Sequence, residues 1–290
     1  MPKKGGKQGG RVWITALLVF SFILGAAAVI FFGGYVGEKG GKERPKPGEP
    51  AALNKPLSSV PPLRLRPPMP SAMAAIVIDD MGADMEKLRS ILDVNAQITV
   101  AVMPYLRHSR DVAEEAHLRG LEVLLHLPME PKDSRKNDPG TGALLNAMSN
   151  EEIQRRLKSD ISGVPYATGV NNHMGSEFTE NASGMRAVME VLKEKKFFFL
   201  DSRTSPRSVA ARLAVESGVK TASRNVFLDN ERDKRSIRGQ FAELLRMARK
   251  NGKAIAIGHP YPETLEVLKE VMAEFKKEGV EVVRVSELTR

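Results

Sequence analysis

The chain has 290 residues, no cysteine and a formal charge of +9, with 44 Lys and Arg against 35 Asp and Glu. Without cysteine there is no disulfide framework, thiolate metal site or cysteine nucleophile. The positive excess sits in residues 1–72, with 11 basic side chains against 3 acidic; the remainder holds 33 against 32, which argues against a nucleic-acid-binding surface on the folded part.

Residues 1–11 form a short basic tail carrying Lys3, Lys4, Lys7 and Arg11. From Val12 to Val36 there is no charge at all. Roughly 20 such residues cross a bilayer core, so 12–36 is predicted to be a transmembrane anchor. The basic tail favours a cytoplasmic N-terminus, although Lys39, Lys42, Arg44 and Lys46 beyond the run weaken the asymmetry. The alternative is a cleaved signal peptide, but an apolar h-region of about 7–15 residues is shorter than a run that continues through Ile30, Phe31 and Phe32. Residues 37–72 are rich in Pro, Gly and Lys, a composition that cannot bury enough apolar surface to offset its ordering entropy. They read as a spacer.

From residue 73 to 290, short apolar runs alternate with amphipathic ones. Strands are expected at "AAIVID", "ITVAVMP", "LEVLLHL", "ATGVNNH", "KFFFLD", "NVFLD", "AIAIGH" and "VEVVRV". Seven helical patterns separate them, beginning near Asp84, His108, Ser149, Asn181, Ser205, Ser236 and Glu263. Gly120, Gly218, Gly252 and Gly279 stand where helices should stop. Near-continuous apolar strands joined by helices predict a parallel sheet covered by helices, best satisfied by an α/β fold of the distorted (β/α) barrel kind. An open doubly wound sheet is the alternative. No glycine-rich phosphate loop follows any strand.

In such folds chemistry collects at the C-terminal ends of the strands. The polar residues there are Asp79 and Asp80 after the first strand, His126 and Glu130 after the third, and Asn171, Asn172 and His173 at the fourth. Asp201 and Arg203 follow the fifth, Asp229 the sixth and His259 the seventh. Singly, each has an ordinary reading as a helix cap, a turn former or a hydrogen-bonded structural residue, and Asp229 in "LDNERD" suits a turn. Together, carboxylates and imidazoles converging on one rim need compensation, which a divalent cation supplies; mixed His and carboxylate ligation suits zinc. His108 and His117 fall in a helical pattern and are expected at the surface. Phe227, Tyr261 and Tyr105 lie near strand ends, either as core residues, the commoner role of aromatics there, or as the lining of a binding groove.

The series "IVIDDMG", "EVLLHLPMEP", "GVNNHMGS", "FFFLDSRT" and "AIAIGHPYPET" resembles the divergent polysaccharide deacetylase family, relatives of the NodB-type carbohydrate esterases, across residues 73–290. The resemblance implies a distorted β/α barrel that removes acetyl groups from a cell-envelope polysaccharide or peptidoglycan with the help of a metal. By position it implies Asp79 as catalytic base, His259 as general acid and Asp201 as the residue tuning the catalytic pair. It implies Asp80 and His126 as metal ligands. The second histidine of the family's His-x-x-x-His motif is Glu130 here, and a new imidazole, His173, stands at the fourth strand; either would complete the ligand set. Asn171, Asn172, Arg203 and Tyr261 are the substrate-binding candidates. The expected address is the bacterial inner membrane, single-pass, with the domain in the periplasm facing an acetylated glycan. A catalytically reduced barrel that binds glycan or an envelope protein is the alternative; a glycosidase using two carboxylates fits less well because it would not need the histidines.

Overall fold

The structure, a computed structural model, describes residues 72–290. The basic tail, the anchor and nearly all of the spacer lie outside the described residues, among which no helix is long and apolar enough to cross a membrane. Nine strands run β1 (Ala72–Met81), β2 (Thr99–Val102), β3 (Glu122–Met129), β4 (Ala167–Met174), β5 (Phe198–Asp201), β6 (Thr221–Ser223), β7 (Val226–Phe227), β8 (Lys253–Gly258) and β9 (Val280–Val282). Seven helices alternate with them: α1 (Met85–Leu92), α2 (Ser109–Leu118), α3 (Asn150–Gly163), α4 (Ala182–Lys195), α5 (Ala210–Ser217), α6 (Lys234–Asn251) and α7 (Pro262–Lys277).

All strand pairs are parallel, in the order β6-β5-β4-β3-β2-β1-β8-β7. On the flank of β1 away from β8, β9 pairs with its first residues (Ala72–Ala74) and β2 with its last (Val77–Met81). The sheet curls until its two ends are consecutive stretches of chain: β6 lies on β5, and three residues later β7 lies on β8. This is the expected distorted barrel, with a seam at Arg224 and Asn225. The open sheet is not formed.

Strand alternation explains the two apolar layers. Ala75, Val77, Ala101, Leu124, Leu200, Ile255 and Ile257 point inward, where Val285 and Leu288 join them. Ala74, Ile76, Ile78, Val100, Val123 and Leu125 point outward to meet Leu88, Val112, Leu157, Val188, Phe241 and Leu268 of the helices. Because both faces are covered, each strand reads as a continuous apolar run. Ser149 and Glu152 form a reciprocal capping box on α3, Asn181 caps α4, Asp233 caps α6, and Pro262 opens α7.

Two expectations need correction. Among the described residues there are nine strands rather than eight: β6 is a three-residue, half-buried "TAS", too short and polar to show a period. Helix α5 starts at Ala210 rather than near Ser205, because the hydroxyls of Ser205 and Ser208 are used in the preceding turn, donating to Glu180 Oε1 and Asp201 Oδ2. His108 precedes α2, half-buried, and His117 lies on it, exposed, so both reach the surface as expected.

Candidate active site

Inward parity carries a polar residue past the end of each apolar run. Asp79 continues Ala75 and Val77, His126 continues Leu124, and His259 continues Ile255 and Ile257. By the same rule Asp80 should point outward. It does not, because β1 has one extra residue here: Ile78 faces Val100 while Met81 faces Val102. Asp80 takes a left-handed conformation (φ 55°), and Gly82, at φ 120° with a Cβ position only 3.1 Å from Ser109 Oγ, completes the turn. The bulge is why two adjacent acids serve one site. Met174 (φ 51°) and Arg203 (φ 51°) repeat the left-handed conformation at the ends of β4 and β5. Strained backbone of this sort costs roughly 1–3 kcal/mol per residue and clusters at functional sites.

The strand ends surround a cleft of about 500 Å³. At its floor three ligand atoms form a nearly equilateral triangle: Asp80 Oδ1 is 3.1 Å from His126 Nε2 and 3.0 Å from His173 Nδ1, and the two nitrogens are 3.1 Å apart. Asp80 Oδ1 is buried without a well-formed hydrogen bond. Two ring nitrogens, hydrogen-bonded to each other, and a carboxylate oxygen converge in a donor set that fits a cation. Zinc–ligand bonds of about 2.0–2.2 Å in a tetrahedron put neighbouring ligand atoms about 3.3 Å apart, close to these edges. His126 Nδ1 faces Asn171 Oδ1 at 2.9 Å, which leaves Nε2 for the triangle.

The flanking groups are held with equal care. Asn171 is fully buried and also donates to Asp79 Oδ1 at 2.8 Å. Burial pushes the Asp79 carboxyl above the usual range, against the pull of His126 and His259. For Asp80, burial is outweighed by its hydrogen-bond and charge interactions with the two histidines, which hold it well below that range. Burial disfavours charge on His126, but Asp79 and Asp80 raise its pKa to about 9, so proton and cation compete for the same nitrogen. Across the cleft, His259 Nε2 lies 3.7 Å from Asp80 Oδ2 while Nδ1 meets Asp229 Oδ1 at 2.9 Å. Burial lowers the pKa of His259, and the Asp229 hydrogen bond and charge more than reverse this.

Of the predicted residues, Asp79, Asp80, His126, Asn172, His173, Arg203 and His259 line the cleft, and Asn171 sits directly beneath. Asn172 accepts from the Ser202 backbone and donates to Thr204 Oγ1, fixing the loop after β5. Tyr261 stands beside His259 (ring centroids 5.4 Å) with Arg232 stacked on it. Phe227 lines the cleft, whereas the Tyr105 hydroxyl pairs with Ser159.

Two assignments are corrected. Glu130 is not in the ligand triangle: past Met129 the chain turns to bond Leu144, and the Glu130 carboxylate accepts from Asn146 N at 2.6 Å. The third atom of the triangle belongs to His173. Asp201 makes its hydrogen bonds away from Asp79 and His259. It shares the outward parity of Phe199 rather than the inward parity of Leu200, and its oxygens accept from Arg203 N and Ser208 Oγ. The carboxylate in contact with His259 is Asp229, which holds His259 Nδ1, His259 N and Thr264 Oγ1 at 2.9, 2.6 and 2.9 Å. The available signal was its position two residues beyond Phe227, on the inward parity. Arg224 was also missed; it lies in a stretch without periodicity.

The family model for divergent polysaccharide deacetylases matches residues 76–289. YibQ of Escherichia coli strain K12 is 43% identical over 210 residues, covering 72% of this chain and 65% of YibQ, so the match spans less than two thirds of that relative's length. A Haemophilus influenzae protein is 40% identical over 195 residues, 67% of this chain and 69% of its own length. The crystal structure of ATU2773 from Agrobacterium tumefaciens C58 has a TM-score of 0.73 at 25% identity, covering 78% of this chain and 92% of that one. With a parallel curled sheet, an Asp-His-His triangle at its C-terminal edge and a family match over nearly all described residues, the chain belongs to the divergent polysaccharide deacetylase family.

Proposed function

We propose that this protein is a metal-dependent hydrolase that removes acetyl groups from a cell-envelope polysaccharide or peptidoglycan. The observation that supports this best is the juxtaposition in one cleft of a three-atom ligand triangle with an acid on one side and an imidazole on the other. Asp80, His126 and His173 would hold a divalent cation, and mixed N and O donors suit zinc. When bound, such a cation supplies Lewis acidity to the carbonyl oxygen and the attacking water.

The chain's own residues do the rest. Asp79, oriented by Asn171 Nδ2, takes a proton from the attacking water. Its raised pKa makes it a stronger base than an ordinary carboxylate. His259 delivers a proton from Nε2 to the departing sugar nitrogen or oxygen as the bond to the acetyl carbon breaks. Asp229 on Nδ1 keeps that ring charged and aimed. A placed acid or base of this kind is worth roughly 10²–10⁴-fold. The uncharged run 12–36 and the Pro-rich spacer support a domain tethered at the outer face of the inner membrane, within reach of envelope glycan.

The test is acetate release from acetylated envelope glycan fragments by the zinc-loaded protein, compared with Asp79→Asn. Release that the substitution abolishes supports the proposal. Glycan binding with no acetate from the wild type would leave the scaffold reading in its place.

A further inference from the structure

One wall of the cleft carries positive charge that the reaction does not use. Arg203 and Arg224 both line it, at the end of β5 and in the β6–β7 seam. Arg224 is half-buried; its Nε donates to Ser202 O at 2.7 Å and one Nη to Arg203 O at 3.2 Å. Carbonyl acceptors orient a guanidinium without neutralising it. The other Nη has no protein partner among the described residues, and the side chain of exposed Arg203 makes no hydrogen bond there either. The nearby acids are committed elsewhere: Asp79 to Asn171 and His126, Asp80 to His126 and His173, Asp201 to Arg203 N and Ser208. Asp79 and Asp201 favour the Arg224 cation only through space, without an ion pair, and burial still outweighs them, so a charge from outside that bonds the free Nη is the simplest remedy.

Position says where that charge would lie. The Arg224 guanidinium sits 4.7 Å from the centre of the Phe227 ring, whose edge meets the His259 ring at 5.5 Å. The Phe227 ring therefore stands between the cation and the general acid, so a charge paired with Arg224 would lie to one side of the reacting sugar, on its neighbour. The left-handed backbone of Arg203 is the kind of strain that persists where a side chain must be aimed. A planar guanidinium fork suits a planar carboxylate.

We infer that the cleft selects an acidic glycan: a carboxylate on the sugar next to the acetylated residue is bound by Arg224 and Arg203. This rests on the deacetylase reading of the same cleft and adds the substrate class. The experiment compares acetylated oligosaccharides bearing sugar carboxylates with the same oligosaccharides after reduction of each carboxyl to a primary alcohol. With the zinc-loaded full chain, reduction should lower kcat/KM roughly tenfold, mainly through KM, the size expected of a hydrogen bond to a charged group. The preference should weaken with salt. It should shrink in Arg203→Gln, an exposed change that removes no protein contact, and fall to near parity when Arg224→Gln is added. Arg224→Lys, retaining charge but not the fork, should keep only part of it. Equal rates on the two substrates, or a preference surviving both substitutions, would overturn the inference. Binding of both oligosaccharides to Asp79→Asn, measured by calorimetry, separates this from failure of the deacetylase reading. Tighter binding of the carboxylated form, lost with the arginines, supports the inference even if no acetate is ever released; equal binding refutes it.

Discussion

Replacing Asp229 by Asn would test the assignment of His259 as general acid. The change is nearly isosteric, but the carboxylate now accepts three hydrogen bonds: from His259 N at 2.6 Å, Thr264 Oγ1 at 2.9 Å and His259 Nδ1 at 2.9 Å. An amide has one accepting oxygen. If that oxygen keeps the two donors on the Oδ2 side, the NH₂ confronts His259 Nδ1 and forces it to accept, which disfavours the imidazolium. A hydrogen bond to a charged group is worth about 1.5–3 kcal/mol, so kcat/KM near neutrality should fall roughly 10- to 150-fold. The direction with pH follows from the same contact. His259 is held above the ordinary histidine range by Asp229, against burial, so the wild type keeps its acid protonated beyond that range. The alkaline limb of the kcat/KM profile should therefore move to lower pH in Asp229→Asn, while substrate affinity changes little. The assay is acetate release across pH 5–9 for both proteins. An alkaline limb that stays put, with rates within twofold of wild type, would remove His259 from the mechanism.

Metal analysis should separate ligands from neighbours. His173→Ala and Asp80→Asn should each lose stoichiometric metal, a larger loss than the roughly 10–100-fold typical of an outer partner, whereas Glu130→Gln should retain it and loosen the loop at Asn146. Gly82→Ala should cost about 1–3 kcal/mol in urea unfolding, because an L side chain at φ 120° is strained and its Cβ meets Ser109 Oγ at 3.1 Å. Asp160 is fully buried on α3 with neither carboxylate oxygen hydrogen-bonded, and burial pushes its pKa up to about 7. That is above its unfolded value, so the folded state binds the extra proton. Stability should fall as pH rises from the ordinary carboxylate range through about 7, by a few kcal/mol in all, and Asp160→Asn should flatten the dependence. Urea midpoints at pH 5 and pH 8 provide the comparison.

The barrel was legible because its two periods are strong. Helices α3, α4, α6 and α7 each carry an apolar stripe with caps or glycine stops, and β1, β3 and β8 are long enough to show strand runs. Their order leaves few topologies. Element β6 escaped because three half-buried residues contain less than two full alternations. Strand-end position also picked out Asp79, Asp80, His126, His173 and His259, which line one cleft. It could not rank Asp201 against Asp229, since both end a strand; the difference is one residue of parity, and parity depends on where pairing begins.

What the chain's order of residues settles without any coordinates is local. It places an uncharged run of membrane-crossing length before a Pro- and Gly-rich segment, sets alternating strand and helix periods, and brings each acid or imidazole to the end of an apolar run. Which of those ends meet is a tertiary matter. Asp80 reaches the same cleft as Asp79 through a bulge in the pairing with β2, which Gly82 permits but which only the pairing places. Glu130 leaves it because the loop after β3 folds back on Leu144. His259 and Asp229 come together only where β7 lies on β8, 30 positions apart in the chain. Side-chain chemistry is a property of residues, but coordination, proton relay and charge compensation are properties of distances, and the curl of the sheet sets those.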